Sequence, residues 1–286
     1  MKITLSQFAG FCDGVRRAFD MVNNLDSGKY KKPIYVLGSL VHNQDVVSKI
    51  EAKGIQKIDL EKFMQAKEDE IGTLIITAHG AGPQIYTIAK EKGIEVIDTT
   101  CPKVIKVQRL AEVFAKRGYK IILVGDKNHK EVQSIFEWGQ KNAKLVSNQD
   151  DLQGIDLAGA EKVVILSQTT QNKNFVDEVY EFVKRQYPQT EILDTICLAT
   201  EQRQGEIKKI AEENDAVVVI GSPESANSTR LFEIAKNLNE KTVFIERAED
   251  LPDQEYFQGL QSVAVTAGAS APDWIIEAVL VRLEEL

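Results

Sequence analysis

Two segments of the chain nearly copy one another, and that copy restricts the fold more than any other feature. Glu95-Val96-Ile97-Asp98-Thr99-Thr100-Cys101 is matched by Glu191-Ile192-Leu193-Asp194-Thr195-Ile196-Cys197. Each reads as a short β-branched strand, a turn, and a cysteine opening a helix, predicted over 104–116 and 200–213. The third cysteine has a related setting: a strand over 3–8, then Gly10-Phe11-Cys12, then a helix over 14–23. An apolar strand ending in glycine follows each helix, and the spacing from Cys12 to Gly38, Cys101 to Gly125 and Cys197 to Gly221 is 26, 24 and 24 residues. Later in each unit a second apolar strand ends in a polar tip: Thr77-Ala78-His79-Gly80, Ser167-Gln168-Thr169-Thr170 and Thr266-Ala267-Gly268-Ala269-Ser270.

Units of about 90 residues are longer than solenoid repeats and fit three small domains. Continuous apolar strands alternating with helices predict mainly parallel sheets covered on both faces, an α/β fold. The expected boundaries are 13–97, 98–193 and 194–286, with residues 1–12 adding a strand to the third sheet by cyclic logic. Ligands of such sheets sit outside the carboxyl ends of strands. All three cysteines and all the polar loops follow strand ends, so a pseudo-threefold packing would gather them around one cavity.

Composition narrows the function classes. A net charge of −8 and a pI near 5.2 argue against nucleic acid, whose binders need a basic face. No apolar run approaches the roughly 20 residues that span a bilayer. The N-terminus does not read as a signal peptide, and a cytoplasmic protein with no membrane partner is expected. Three cysteines, an odd count, speak against a disulfide framework in a reducing compartment.

Three thiolates brought together suit either of two metals. Zinc would take a histidine or a water as its fourth ligand. An iron–sulfur cubane would keep one iron without a protein ligand, a Lewis-acid position open to a substrate oxygen. The long spacing is unlike the close CxxC pairs of structural zinc and favours the cluster. The chain's three histidines, His42, His79 and His129, all lie on the strand-end loops. With Ser225, Asn227, Ser228, Thr169, Thr170 and Ser270 they offer donors suited to phosphate near helix N-termini, although Ser, Thr and Asn also cap helices routinely. Glu131 is the carboxylate paired with a histidine, either a solvated first-turn residue or a general acid. Asp98 and Asp194 read as turn formers, and Arg203 and Arg230 as counter-charges or salt-bridge partners.

These motifs together resemble the LytB/IspH family of 4-hydroxy-3-methylbut-2-enyl diphosphate reductases over essentially the whole chain. The resemblance rests on Gly10-Phe11-Cys12-Asp13-Gly14-Val15-Arg16-Arg17-Ala18, Val41-His42-Asn43, Ala78-His79-Gly80, Asp98-Thr99-Thr100-Cys101-Pro102 and His129 with Glu131. It continues through Gln168-Thr169-Thr170, Thr195-Ile196-Cys197-Leu198-Ala199-Thr200, Arg203-Gln204, Ser225-Ala226-Asn227-Ser228 and Thr266-Ala267-Gly268-Ala269-Ser270-Ala271-Pro272-Asp273. It implies a trefoil of three α/β domains around one [4Fe–4S] cluster, which can also occur as [3Fe–4S], held by Cys12, Cys101 and Cys197. It implies the last step of the non-mevalonate isoprenoid pathway: reductive loss of the allylic hydroxyl to give isopentenyl and dimethylallyl diphosphate. Electrons would come from a low-potential donor such as ferredoxin or flavodoxin. His42, His79, His129, Thr169, Thr170, Ser225, Asn227, Ser228 and Ser270 would then bind substrate, its hydroxyl on the unique iron. Glu131 would deliver protons, with Thr169 and His129 assisting. Three positions depart from the family pattern: Asp126 where a second histidine is usual, Lys130 where proline is usual, and Ala226 where serine is common. A cluster-bearing redox sensor and a zinc-stabilised anion-binding module, neither with turnover, are the alternatives from other classes.

Overall fold

The computed structural model describes residues 1–286. Its first third runs β1 (Lys2–Leu5), α1 (Asp13–Asn23), β2 (Ile34–Leu37), α2 (Gln44–Glu51), β3 (Ile55–Ile58), α3 (Leu60–Gln65), β4 (Thr73–Ile76), α4 (Pro83–Glu91) and β5 (Glu95–Asp98). The middle runs α5 (Pro102–Lys116), β6 (Lys120–Val124), α6 (Lys130–Gly139), β7 (Ala143–Val146), α7 (Gln149–Gln153), β8 (Val163–Ser167), α8 (Lys173–Gln186) and β9 (Glu191–Ile192). The last third runs α9 (Leu198–Glu213), β10 (Ala216–Ile220), α10 (Ala226–Leu238), β11 (Thr242–Ile245), α11 (Gln254–Phe257), β12 (Ser262–Ala267) and α12 (Asp273–Glu284).

The strands form three four-stranded sheets, ordered β3-β2-β4-β5, β7-β6-β8-β9 and β1-β12-β10-β11. Every pairing is parallel. The α/β class with mainly parallel sheets is therefore observed. The central strands are buried on both faces: Leu74, Ile75, Ile122, Leu123, Val218 and Val219 are all 0% exposed. That is why they read as unbroken apolar runs rather than as alternating patterns. The closing strand of the last sheet comes from the other end of the chain, with Lys2 opposite Ser262 and Leu5 opposite Val265.

The chain divides into two compact units. One comprises Met1–Arg16, Val41–Val46 and Leu198–Leu286, and contains the sheet that β1 completes. The other comprises Arg17–Leu40 and Val47–Cys197, and contains the other two sheets. No helix is long and apolar enough to cross a membrane.

Several elements differ in extent from the sequence expectation. The helix after Cys101 begins at Pro102 and the one after Cys197 at Leu198, each two residues earlier than the apolar pattern implied. Proline suits the first helical position because its missing N–H has no intrahelical partner there. The strand expected over 3–8 ends at Leu5. Beyond it the Gln7 and Phe8 amides donate to the side chain of Glu206 instead of to a neighbouring strand.

Candidate active site

Each cysteine follows a strand's carboxyl end: Cys12 after β1, Cys101 after β5 and Cys197 after β9. Two of the loops are built alike. The Cys101 amide donates to the Ala78 carbonyl at 3.0 Å, and the Cys197 amide to the Thr169 carbonyl at 2.9 Å. Before Cys101, the Asp98 carboxylate accepts from the Thr100 amide at 2.9 Å and from Tyr86 Oη at 2.9 Å. Burial and the Asp98 charge push the Tyr86 phenol well above its ordinary range, so it stays a donor. Before Cys197, Asp194 accepts from the Ile196 amide at 3.3 Å. The two aspartates are thus turn formers. No disulfide joins the three thiols.

In the larger unit, four residues named from sequence meet as two pairs. Glu131 lies in the first turn of α6 and is 3% exposed, which rules out the solvated reading. Its Oε1 accepts from the Thr169 amide at 2.6 Å and its Oε2 from Thr169 Oγ1 at 2.9 Å. One residue thereby grips both carboxylate oxygens. Burial pushes the Glu131 carboxyl up to about 7, against the lowering effect of the two Thr169 bonds, and Asp126 adds a smaller push upward. A carboxyl with that value exchanges protons near neutral pH, as a general acid requires.

His129 caps α6, its Nδ1 accepting from the Glu131 amide at 3.3 Å. In the neutral ring the proton then sits on Nε2, which becomes a donor. The rings of His79 and His129 meet edge to face, with centroids 5.2 Å apart and planes at 89°.

Sequence reasoning gave no site role to two glutamines that hold these pairs. Gln168 is 0% exposed; its Oε1 accepts from the Asp126 amide at 2.9 Å and its Nε2 donates to Thr170 Oγ1 at 2.8 Å. It stitches the loop leading to His129 onto the turn carrying Thr169. Gln108, buried on α5, donates to Ser134 Oγ on α6. A Cβ added to Gly80 would lie 2.3 Å from Gln108 Nε2, so only glycine lets the His79 loop pass there. The signal for Gln168 was its place at the polar tip of an apolar strand.

In the smaller unit, Ser225 caps α10, its Oγ accepting from the Ser228 amide. Ser228 is 0% exposed and its hydroxyl donates to Ser225 Oγ at 3.0 Å. A Cβ on Gly268 would come within 1.9 Å of Ser228 Oγ, so this serine is wedged against a glycine that must stay small. Asn227 and Ser270 are 5% and 6% exposed, and Asn227 Nδ2 and Ser270 Oγ make no hydrogen bond within the protein. Buried polar atoms are almost always paired, so the first turn of α10 and the loop after β12 each carry one donor that the protein itself leaves unused. His42 Nδ1 lies 3.3 Å from a Glu224 carboxylate oxygen. Asn43 caps α2 by accepting from the Val46 amide at 3.2 Å, and Lys130, the first residue of α6, is exposed.

The family model for the LytB protein matches residues 3–284. The chain belongs to the LytB family. A 4-hydroxy-3-methylbut-2-enyl diphosphate reductase of Symbiobacterium thermophilum is 37% identical over 278 residues, covering 96% of this chain and 94% of that protein. One of Clostridium acetobutylicum is 38% identical over 284 residues, but the chain spans only 44% of that relative's length. The solved structure of the E-1-hydroxy-2-methyl-but-2-enyl-4-diphosphate reductase from Plasmodium falciparum has a TM-score of 0.89 and 33% identity, covering 99% of this chain and 87% of that one.

Proposed function

We propose that this LytB protein is an iron–sulfur oxidoreductase that converts (E)-4-hydroxy-3-methylbut-2-enyl diphosphate to isopentenyl and dimethylallyl diphosphate. The reaction breaks the allylic C–O bond and takes up two electrons and two protons; one proton leaves with the hydroxyl as water, and the other ends on carbon. The observation that carries the reading is the buried Glu131, held through both oxygens by Thr169 with its carboxyl raised to about 7.

The donor set fits the cofactor. Three cysteines and no fourth, each past a strand end, suit a cluster with one iron free of protein ligands. Cys12, Cys101 and Cys197 are the proposed ligands of one [4Fe–4S] cluster, which also occurs as [3Fe–4S]. When bound, the cluster supplies electrons, relayed from a low-potential donor such as cytoplasmic ferredoxin or flavodoxin, and a Lewis-acid position for the substrate.

The chain's own residues do the rest. Hydroxide is a poor leaving group, and a proton from Glu131 lets it depart as water, a contribution of about 10²–10⁴ in rate for a typical general acid. Thr169 keeps the Glu131 carboxyl aimed, and Thr170 and Gln168 hold the turn behind it. Asn227 Nδ2 and Ser270 Oγ, together with His42, His79, the His129 Nε2 donor and Ser225, take the diphosphate oxygens. Ser228 acts through Ser225, whose hydroxyl it orients. Binding a remote diphosphate anchors the allylic end for reaction.

The test is anaerobic reconstitution with iron and sulfide, followed by turnover with a reduced low-potential donor. Full iron content in Cys101→Ser would defeat the ligation. A loaded wild-type cluster without turnover would leave the sensor reading.

A further inference from the structure

All three cysteine loops are tied by backbone bonds: Cys101 to Ala78, Cys197 to Thr169, and before Cys12 the Ser6 amide to the Val265 carbonyl at 2.7 Å and the Gly10 amide to the Ala267 carbonyl at 3.3 Å. Short-range aspartate turns add to the first two. The Cys12 loop is gripped in addition by charged side chains from α9, far along the chain. The Glu206 carboxylate accepts from Ser6 Oγ, from the Gln7 amide at 2.7 Å and from the Phe8 amide at 3.3 Å. Arg203, one turn earlier on the same helix face, is 5% exposed and donates from Nη2 to the Gly10 carbonyl at 2.8 Å. Its Nη1 donates to the Ala199 carbonyl at 3.0 Å, so the guanidinium is fixed to its own helix as well. Gly10 has a φ of +90°, and a Cβ there would lie 2.9 Å from Ile276 Cδ1, so the peptide that Arg203 holds is also shaped by its surroundings.

We propose that Arg203 and Glu206 are positioning residues for Cys12. Hydrogen bonds to charged partners are stronger than neutral ones, and two of them one turn apart define both the position and the tilt of the loop they hold. The helix that bears this clamp starts one residue after Cys197. The inference rests on the reading of Cys12 as a cluster ligand, but the clamp has a consequence for the thiol itself.

The experiment uses the full-length chain freed of iron, with iodoacetamide as probe and the alkylation rate of each cysteine resolved by peptide mass spectrometry. In Glu206→Ala the Cys12 rate should rise about tenfold or more, since one charge-assisted hydrogen bond that resists local opening is worth about that factor and three are lost together. The Cys101 and Cys197 rates should stay within about twofold, because the bonds to Glu206 come from Ser6, Gln7 and Phe8 and not from those loops. Arg203→Met should give the same selective rise, and Arg203→Lys, which keeps a donor for the Gly10 carbonyl, should restore most of the protection. After reconstitution, the Ala and Met variants should lose iron to a chelator faster than wild type. An unchanged Cys12 rate, or an equal rise at all three cysteines, overturns the proposal. Failure of the wild-type chain to take up iron would instead count against the function proposed above, and would leave the thiol result standing.

Discussion

Glu131 and Asn227 are both polar residues buried to within a few per cent, one in each compact unit, and they are treated in opposite ways. Glu131 has both oxygens engaged by Thr169, and the turn that carries Thr169 is itself tied down by Gln168. Asn227 has a buried amide nitrogen with no acceptor in the protein, and Ser270 Oγ shares that condition. A satisfied buried group is fixed in place. An unsatisfied one costs roughly 1–3 kcal/mol until an outside acceptor reaches it. The proposed acid is held by the fold, whereas the proposed anion-binding donors are left without a partner in the protein. Mutations should therefore separate stability from affinity.

The largest effect should follow Glu131→Gln. Turnover should fall by roughly 10²-fold or more while the affinity for product diphosphates stays within a few-fold, measured by donor-linked kinetics and calorimetry. Near-normal turnover would remove Glu131 from the chemistry. In the unmodified protein, turnover should decline as pH rises through about 7, where the acid loses its proton. The stability linkage has a definite sign. Between 4.5 and about 7 the folded state binds more protons than the unfolded one, so stability falls as pH rises across that window. A shift of that size amounts to about 3 kcal/mol above it. Glu131→Gln should accordingly raise the melting temperature at pH 8 and leave it unchanged at pH 4, as thermal denaturation at the two values would show.

Next in size is Asn227→Ala. Titration with the product diphosphates should show a loss of about 1.5–3 kcal/mol in binding, with no drop in melting temperature, because the group removed had no partner to lose. A destabilised Asn227→Ala with normal affinity would reverse the comparison. Thr169→Val should do the opposite. It leaves Glu131 Oε2 buried and unpaired, so it should cost about 1–3 kcal/mol of stability and move the alkaline limb of the pH–rate profile upward. The smallest effect should come from Lys130→Pro. Proline suits the first residue of α6, and it should add about 0.4–1 kcal/mol through the unfolded state while turnover stays within about twofold. A large loss of diphosphate affinity there would make Lys130 itself a ligand.

Much of this was legible in the sequence because it is written in short-range patterns. The copied strand–turn–cysteine segments revealed two of the thiol loops, and the glycine-ended apolar runs revealed the central strands. What could not be read depends on partners far apart in the chain. Glu131 could be solvated or catalytic until Thr169, 38 residues later, was seen gripping it. The early end of β1 is set by Glu206, about 200 residues away, and nothing in the local run Ser6-Gln7-Phe8 signals it. Ser225 and Ser228 look alike as hydroxyl donors in sequence. Only packing shows that Ser228 supports Ser225 and is wedged against Gly268.

The parallel pairing of β1 with β12 has a consequence for synthesis. Ile3 finds its partner in Val263, so this segment stays unpaired while some 260 further residues are translated. At roughly 5–20 residues per second the wait is on the order of tens of seconds. During that time the edge of β1 and the thiol of Cys12 are exposed to whatever else is in the surroundings, whereas Cys101 already has its local anchor at Ala78. A chain stalled before β12 would have the Cys101 loop anchored at Ala78 while β1 and the Cys12 loop beside it still lacked their partner strand.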